Sequence, residues 1–227
     1  MKELLIIEKP NSGFSEEIKK TRTNLKFSQI SDDVKAMMIT SSVPGEGKSF
    51  VSANLAAAFA QYNEKVLLVD CDLRKGRQKK IFNIPDDKNG GLSNLLINKD
   101  WETEYPSYIK KTKVSNLFVI PTGPYPPNPS ELLATERFVK FVEEVKKVFD
   151  IVILDCPPVV GLNDAIAVAS VADISIIVAK YKSTSKDLVE KTKKSLDAVN
   201  ARIAGVILNQ MEEAKSSYYY YGGYYKD

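Results

Sequence analysis

Six short apolar runs punctuate the chain: Ala36–Ser41 (AMMITS), Val66–Asp70 (VLLVD), Leu117–Pro121 (LFVIP), Ile151–Asp155 (IVILD), Ile174–Ala179 (ISIIVA) and Ala204–Leu208 (AGVIL). They are continuous rather than alternating, the pattern of strands covered on both faces in a parallel sheet. The stretches between them carry apolar residues at helical spacing. Val51, Leu55, Ala58 and Phe59 mark a helix over Lys48–Tyr62. Leu133, Phe138, Phe141, Val142 and Val145 mark another over Ser130–Phe149, with Ser130 as its cap after YPPNP. Leu188, Val189, Thr192, Leu196 and Val199 mark a third over Ser185–Asn200. Strand and helix alternate, which predicts an α/β fold: a doubly wound, mostly parallel sheet with helices on both faces and a ligand site at the carboxyl ends of the strands.

Two segments stand outside that series. A charged helical stretch, SEEIKKTRTNLKFSQI, precedes the first strand, and the chain stops in SSYYYYGGYYKD. This organisation predicts one domain over residues 1–214, with a helical N-terminal segment over 12–30. Residues 215–227 are expected to form a disordered tail, because Gly222, Gly223 and the preceding polar MEEAKSS oppose a packed strand.

Composition narrows the chemistry. The chain has no histidine, which removes catalytic triads that need imidazole and histidine zinc sites. Its two cysteines, Cys71 and Cys156, each sit beside an aspartate in an apolar run and read as reduced, buried thiols. A formal net charge of +3 is too small to argue for nucleic acid or an anionic membrane. No run approaches the roughly 18 apolar residues of a membrane span, and the most apolar stretch, AIAVASVADISIIVA, is broken by Asp173. A cytoplasmic protein without an anchor of its own is expected.

The chemistry concentrates after the first strand. In SSVPGEGKSF, Gly45, Gly47, Lys48 and Ser49 match the end of a P-loop, G-x-x-x-x-G-K-[ST], with Ser42 in place of the first glycine. Residues Pro44, Gly45, Glu46, Gly47, Lys48, Ser49 and Phe50 are the predicted phosphate cradle. Glycines let backbone N–H groups turn onto phosphate oxygens, the helix starting near Lys48 adds its positive end, Lys48 reaches the β and γ phosphates and the Ser49 hydroxyl ligates Mg²⁺. Two acidic strand ends point toward that site. Asp70 and Asp72 are two apart and share a face, and Asp155 stands where a Walker B carboxylate orients Mg²⁺ through its water shell.

The set VPGEGKS, VLLVDCDLR and VILDCPP, followed by a terminal tyrosine cluster, resembles the cytoplasmic bacterial tyrosine kinases of capsular and exopolysaccharide synthesis over nearly the whole chain. Those kinases belong to the deviant P-loop ATPases. The positioning and partition ATPases of that group usually carry a signature lysine near the start of the loop, where this chain has Val43. The resemblance implies ATP and Mg²⁺ as cofactors, with Ser49, Asp72 and Asp155 around the metal. Lys48, Asp70, Asp72 and Asp155 become catalytic residues, Asp70 being favoured for orienting the tyrosine. It also implies that Tyr218, Tyr219, Tyr220, Tyr221, Tyr224 and Tyr225 are the substrate, phosphorylated in trans. The family's E-x-x-R-x-x-R motif, which builds a ring-like homo-oligomer, is met by Glu16, Lys19 and Arg22, with lysine replacing the first arginine. Asn209 stands where relatives of the fold contact the adenine edge, although asparagine after a strand is also a common turn residue. Two partners are implied: a membrane chain-length regulator of the co-polymerase class, which activates the kinase and recruits it to the inner face of the membrane, and a phosphotyrosine phosphatase.

Two other classes fit parts of the sequence: a positioning or partition ATPase acting on DNA or membrane, and a nucleotide-gated adaptor without turnover. The basic stretch LRKGRQKK after Asp72 reads as a solvated loop, a contact for phosphate or an acidic tail, or a nucleic-acid patch, the last being disfavoured.

Overall fold

The computed structural model describes residues 3–27, 34–85 and 90–211. In chain order the elements are α1 (Leu5–Glu8), α2 (Gly13–Phe27), β1 (Ala36–Ser41), α3 (Lys48–Ala60), β2 (Val66–Asp70), α4 (Gln78–Ile81), α5 (Leu92–Ile97), α6 (Trp101–Tyr108), β3 (Lys110–Lys111), β4 (Leu117–Ile120), α7 (Pro129–Leu133), α8 (Glu136–Val148), β5 (Ile151–Asp155), α9 (Asp164–Ala169), β6 (Ile174–Lys180), α10 (Lys186–Asp197) and β7 (Ile203–Asn209). The sheet runs β3-β4-β2-β5-β1-β6-β7, and only the short β3 is antiparallel to its neighbour.

Two cores, one on each face of the sheet, explain the unbroken apolar runs of β1, β2, β4, β5 and β6, whereas the run in β7 leaves Val206 and Leu208 exposed. Met37 and Ile39 of β1 and Leu68 of β2 pack with α1, α2 and α3, while Ala36, Met38, Leu67 and Val69 pack with α5, α6 and α8. Residues of one strand alternate between the cores, and the acidic side chains of β2 and β5 stand at their carboxyl ends. Cys71 and Cys156 are free and buried. Among the described residues, no helix is long and apolar enough to cross a membrane.

Several boundaries differ from the sequence-based expectations. The helix expected over 130–149 is two helices, α7 and α8. The break falls at Thr135, whose hydroxyl caps α8 by accepting from the main-chain N–H of Phe138 at 3.4 Å. Ser130, expected as the cap, lies inside α7. The helix expected to reach Tyr62 ends at Ala60, and the chain reverses at Asn63 with a φ of 62°. The short elements α1, α4, α6, α9 and β3 were not anticipated, while α5 follows NGGLSNLL (residues 89–96), which resembles the turn into a helix in the tyrosine kinases. The N-terminal helix lies at Gly13–Phe27, within the expected 12–30; residues 28–30 and the tail at 215–227 fall outside the described residues.

Helix α3, which begins at the phosphate cradle, holds the N-terminal segment in place. Asn54 is fully buried on α3, where its Oδ1 accepts from Ile6 N at 3.0 Å and its Nδ2 donates to Glu3 O at 2.9 Å. The rings of Phe14 on α2 and Phe50 on α3 lie 5.0 Å apart. Asn54→Ala strands a buried N–H and a carbonyl at once, so it is expected to lower unfolding free energy by about 3 kcal/mol in urea denaturation. Hydrogen exchange at Ile6 is expected to accelerate before the sheet opens.

Candidate functional site

Strands β1, β2 and β5 lie side by side and end together, with Asp70 directly opposite Asp155 and Ile39 opposite Asp155 on the other side. The turn leaving β1 is the phosphate cradle. Gly45 and Gly47 adopt φ values of 87° and 89°, in the left-handed region that favours glycine. Gly47 has a second constraint: a Cβ there would stand 2.1 Å from Asn209 Nδ2.

The cradle is tied down by the chain itself. The Glu46 carboxylate accepts from Val43 N at 2.9 Å and from the Thr184 hydroxyl, and the Glu46 carbonyl accepts from Asn209 Nδ2 at 2.9 Å. Glu46, at 2% exposure, therefore fastens the loop to the β6–α10 turn and to the end of β7. Asn209, expected at the adenine edge, has its amide donor on the cradle backbone. Thr184 is a residue that sequence reasoning missed; a threonine between a strand and a helix carries no distinguishing local signal.

Lys48 and the three aspartates come together as expected. Lys48 Nζ lies 2.7 Å from Asp72 Oδ2 and 3.3 Å from Ser49 Oγ. Ser52 donates to Asp155 Oδ1 at 3.2 Å. Asp70 accepts from the main-chain N–H of Gln78 at 2.9 Å and of Asp72 at 3.3 Å, and Asp72 also accepts from Lys75 N at 3.0 Å. All three carboxylates are at least 96% buried, since none exceeds 4% exposure. Burial and the charge of Asp155 push the Asp70 carboxyl well above the usual carboxylate range. Burial also raises Asp155, against the opposing pull of Lys48. Burial lowers the proton affinity of Lys48, but Asp155 and Asp72 outweigh it and the net shift is upward.

Gln78 was not anticipated. It sits inside LRKGRQKK, and nothing local separates it from the basic residues around it. Fully buried, it donates through Nε2 to Asp155 Oδ2 at 2.7 Å and to Ser49 O at 3.0 Å. Its Oε1 is buried and has no hydrogen-bond partner among the described residues, a cost of about 1–3 kcal/mol. Both arginines of the stretch are paired within the chain. Arg74 forks onto Asp164 at 2.8 and 3.1 Å, Ser130 also donates to Asp164, and Arg77 holds Glu3 at 2.9 Å. Arg74 and Ser130 hold the Asp164 carboxyl below its ordinary range, despite its burial.

These residues fit a divalent cation with bound phosphates. Three buried carboxylates lie about one partly buried ammonium, and an orphaned acceptor belongs to the amide that bonds Ser49 and Asp155. No group of three His, Cys, Asp or Glu side chains among the described residues converges as a metal-binding cluster. Mg²⁺ suits such a site, because it keeps several waters and takes one or two carboxylates together with substrate phosphates. Ser49, Asp72 and Asp155 are the side chains that would hold it or its waters.

Glu16 and Lys19 pair at 2.7 Å on the outer side of α2. Arg22 does not extend that row. It donates to Ala58 O at 3.1 Å at the carbonyl-rich end of α3 and lies 4.4 Å from the Tyr62 ring centroid, while its Nε is buried without a hydrogen-bond partner among the described residues. The six tail tyrosines lie outside the described residues.

A phosphate cradle opening from a parallel sheet opposite strand-end carboxylates defines a P-loop nucleoside-triphosphatase fold, and the family description "AAA domain" matches residues 34–208. The putative tyrosine-protein kinase CapB of Staphylococcus aureus is 39% identical over 97% of this chain and 95% of its own length. Tyrosine-protein kinase YwqD of Bacillus subtilis is 36% identical over 97% of this chain and 91% of its own. The kinase domain of Escherichia coli tyrosine kinase ETK superposes with a TM-score of 0.87 at 33% identity, covering 94% of this chain and 82% of that one. The chain belongs to the bacterial tyrosine-protein kinase family.

The raised Asp70 carboxyl makes the fold pH-sensitive. A carboxyl that holds its proton more tightly when folded stabilises the protein at low pH, and that contribution is lost as pH rises from the unfolded value near 4 through the raised folded value. Asp70→Asn has no such loss, so its Tm minus that of the wild type is expected to grow more positive between pH 5 and pH 8. Each unit of upward shift corresponds to about 1.4 kcal/mol. A constant difference across that range counts against a raised Asp70.

Proposed function

We propose that this protein is an ATP-dependent protein-tyrosine autokinase that phosphorylates its own C-terminal tyrosines in trans and thereby regulates capsular or exopolysaccharide synthesis and export. The observation that carries this reading is the convergence of Lys48, Ser49 and three buried carboxylates at the ends of β1, β2 and β5. Phosphoryl transfer needs positioning and charge neutralisation more than covalent help from the protein. Lys48 supplies positive charge beside the transferred group, and the cradle N–H groups, fixed by Glu46 and Asn209, orient the phosphates. Mg²⁺, held by Ser49, Asp72 and Asp155 or through its waters, would supply positive charge against the charge developing on the phosphates.

The acceptor is a tyrosine hydroxyl, whose proton must leave as the new P–O bond forms. An ordinary aspartate, near 3.9, is a poor match for a phenol near 10. Burial narrows that gap at Asp70, which supports it as the residue that orients the tyrosine and receives its proton, with Asp72 holding Lys48 and the metal shell. The six tyrosines between Tyr218 and Tyr225 are the proposed substrate, offered one after another to a neighbouring subunit's site. Each phosphate adds about −1.5 to −2 of charge, so full modification places roughly −9 to −12 on each tail and loosens a ring by repulsion. In that ring Glu16 and Lys19 on the outer side of α2 supply the contact. Arg22 acts indirectly, by seating α2 on α3. Activation and recruitment to the inner face of the membrane by a chain-length-regulating partner, and resetting by a phosphotyrosine phosphatase, complete the reading.

Incubating the purified chain with Mg-ATP and an activating partner peptide, then measuring intact mass and mapping phosphotyrosine, tests it. Mass steps confined to residues 218–225 are expected, reduced about 100-fold or more in Lys48→Met. ATP hydrolysis without phosphotyrosine would instead identify a positioning ATPase.

A further inference from the structure

Gln78 is the residue at the site that neither the P-loop nor the acidic motifs account for. It opens the short helix α4, and its main-chain N–H is committed to Asp70. Its side-chain orientation is dictated by its neighbours. Nε2 faces two acceptors, Asp155 Oδ2 at 2.7 Å and Ser49 O at 3.0 Å, so the reverse orientation would set oxygen against oxygen. The amide oxygen is thereby turned to a place where no described residue donates to it, although the residue is fully buried.

Buried polar groups are nearly always satisfied, and an orphan beside a ligand site marks a contact that the ligand supplies. Among the described residues no donor reaches it. Lys48 is directed to Asp72 and Ser49, and Ser52 donates to Asp155. Water bound to Mg²⁺ is a strong donor, and Mg²⁺ characteristically keeps several such waters. The residue type also suits the place: an amide restrains Asp155 without adding another charge to three carboxylates.

We propose that Gln78 is a positioning residue of the divalent-cation centre, its donor fixing Asp155 against Ser49 and its buried acceptor receiving a hydrogen bond from a cation-bound water. This rests on the kinase reading above. Partners that orient metal ligands typically change metal affinity by about 10- to 100-fold when lost.

The test is ADP affinity of the full chain, read by a fluorescent ADP analogue with EDTA and across a Mg²⁺ series, for wild type, Gln78→Leu and Gln78→Met. Both variants remove donor and acceptor at similar volume. Each is expected to bind Mg²⁺-free ADP within about twofold of wild type but to lose about tenfold of the tightening that Mg²⁺ brings. Full tightening in a folded variant, or an equal loss of ADP affinity with EDTA and with Mg²⁺, overturns the proposal, the second outcome marking a purely structural role. If Gln78→Leu does not fold, Gln78→Met decides by the same two readouts. ADP binding by the wild type that ignores Mg²⁺ would overturn the kinase reading itself, and the proposal with it.

Discussion

Three carboxylates buried at the ends of two adjacent strands, with one lysine among them, set the terms for the rest of the molecule. Neighbouring strands hold Asp70 directly opposite Asp155, where two like charges would repel. The fold tolerates that arrangement by several means. Main-chain N–H groups of Asp72 and Gln78 bind Asp70, a hydroxyl and an amide bind Asp155, and Lys48 binds Asp72. The two apolar cores around β1, β2 and β5 keep water out, which raises the repulsion and also strengthens each of those hydrogen bonds.

The same constraint explains why the phosphate cradle is preorganised. A loop left to find its shape on binding would add an ordering cost to a site already carrying uncompensated charge. Here Glu46 spans the loop from Val43 to Thr184, and Asn209 closes it from β7. Asn209 and Gly47 are mutually dependent: the asparagine amide occupies the space that any side chain at position 47 would need.

What could be read from the sequence follows physical range. Strands buried on both faces become continuous apolar runs, so β1, β2, β4, β5 and β6 were visible, as was α3 with its glycines and lysine at fixed offsets; β7 was visible as an apolar run although Val206 and Leu208 on it are exposed. Asp70, Asp72 and Asp155 were legible as candidates because they stand at or just past the ends of such runs, and Lys48 and Ser49 because they complete the P-loop spacing after β1. Gln78, Thr184 and Asp164 were not, because their roles come from partners 29 or more residues away in the chain. Short helices such as α5 and α9 complete too few turns to show a period. Thr135 and Ser130 are both acceptable caps, and only the packing of α7 beside α9 decides between them. Charge spacing suggested that Glu16, Lys19 and Arg22 act as a row, yet the arginine finds its partners inside the chain.

That inward turn of Arg22 has a mechanical consequence. Helix α3 is a rod of 13 residues, about 20 Å long at 1.5 Å per residue, with the phosphate cradle at one end. Helix α2 grips it twice, through Phe14 on Phe50 near the cradle and through Arg22 on Ala58 near the far end. Two anchors stop the helices pivoting about either one. A torque applied to the outer face of α2 therefore reaches the nucleotide loop as rotation of a single stiff lever.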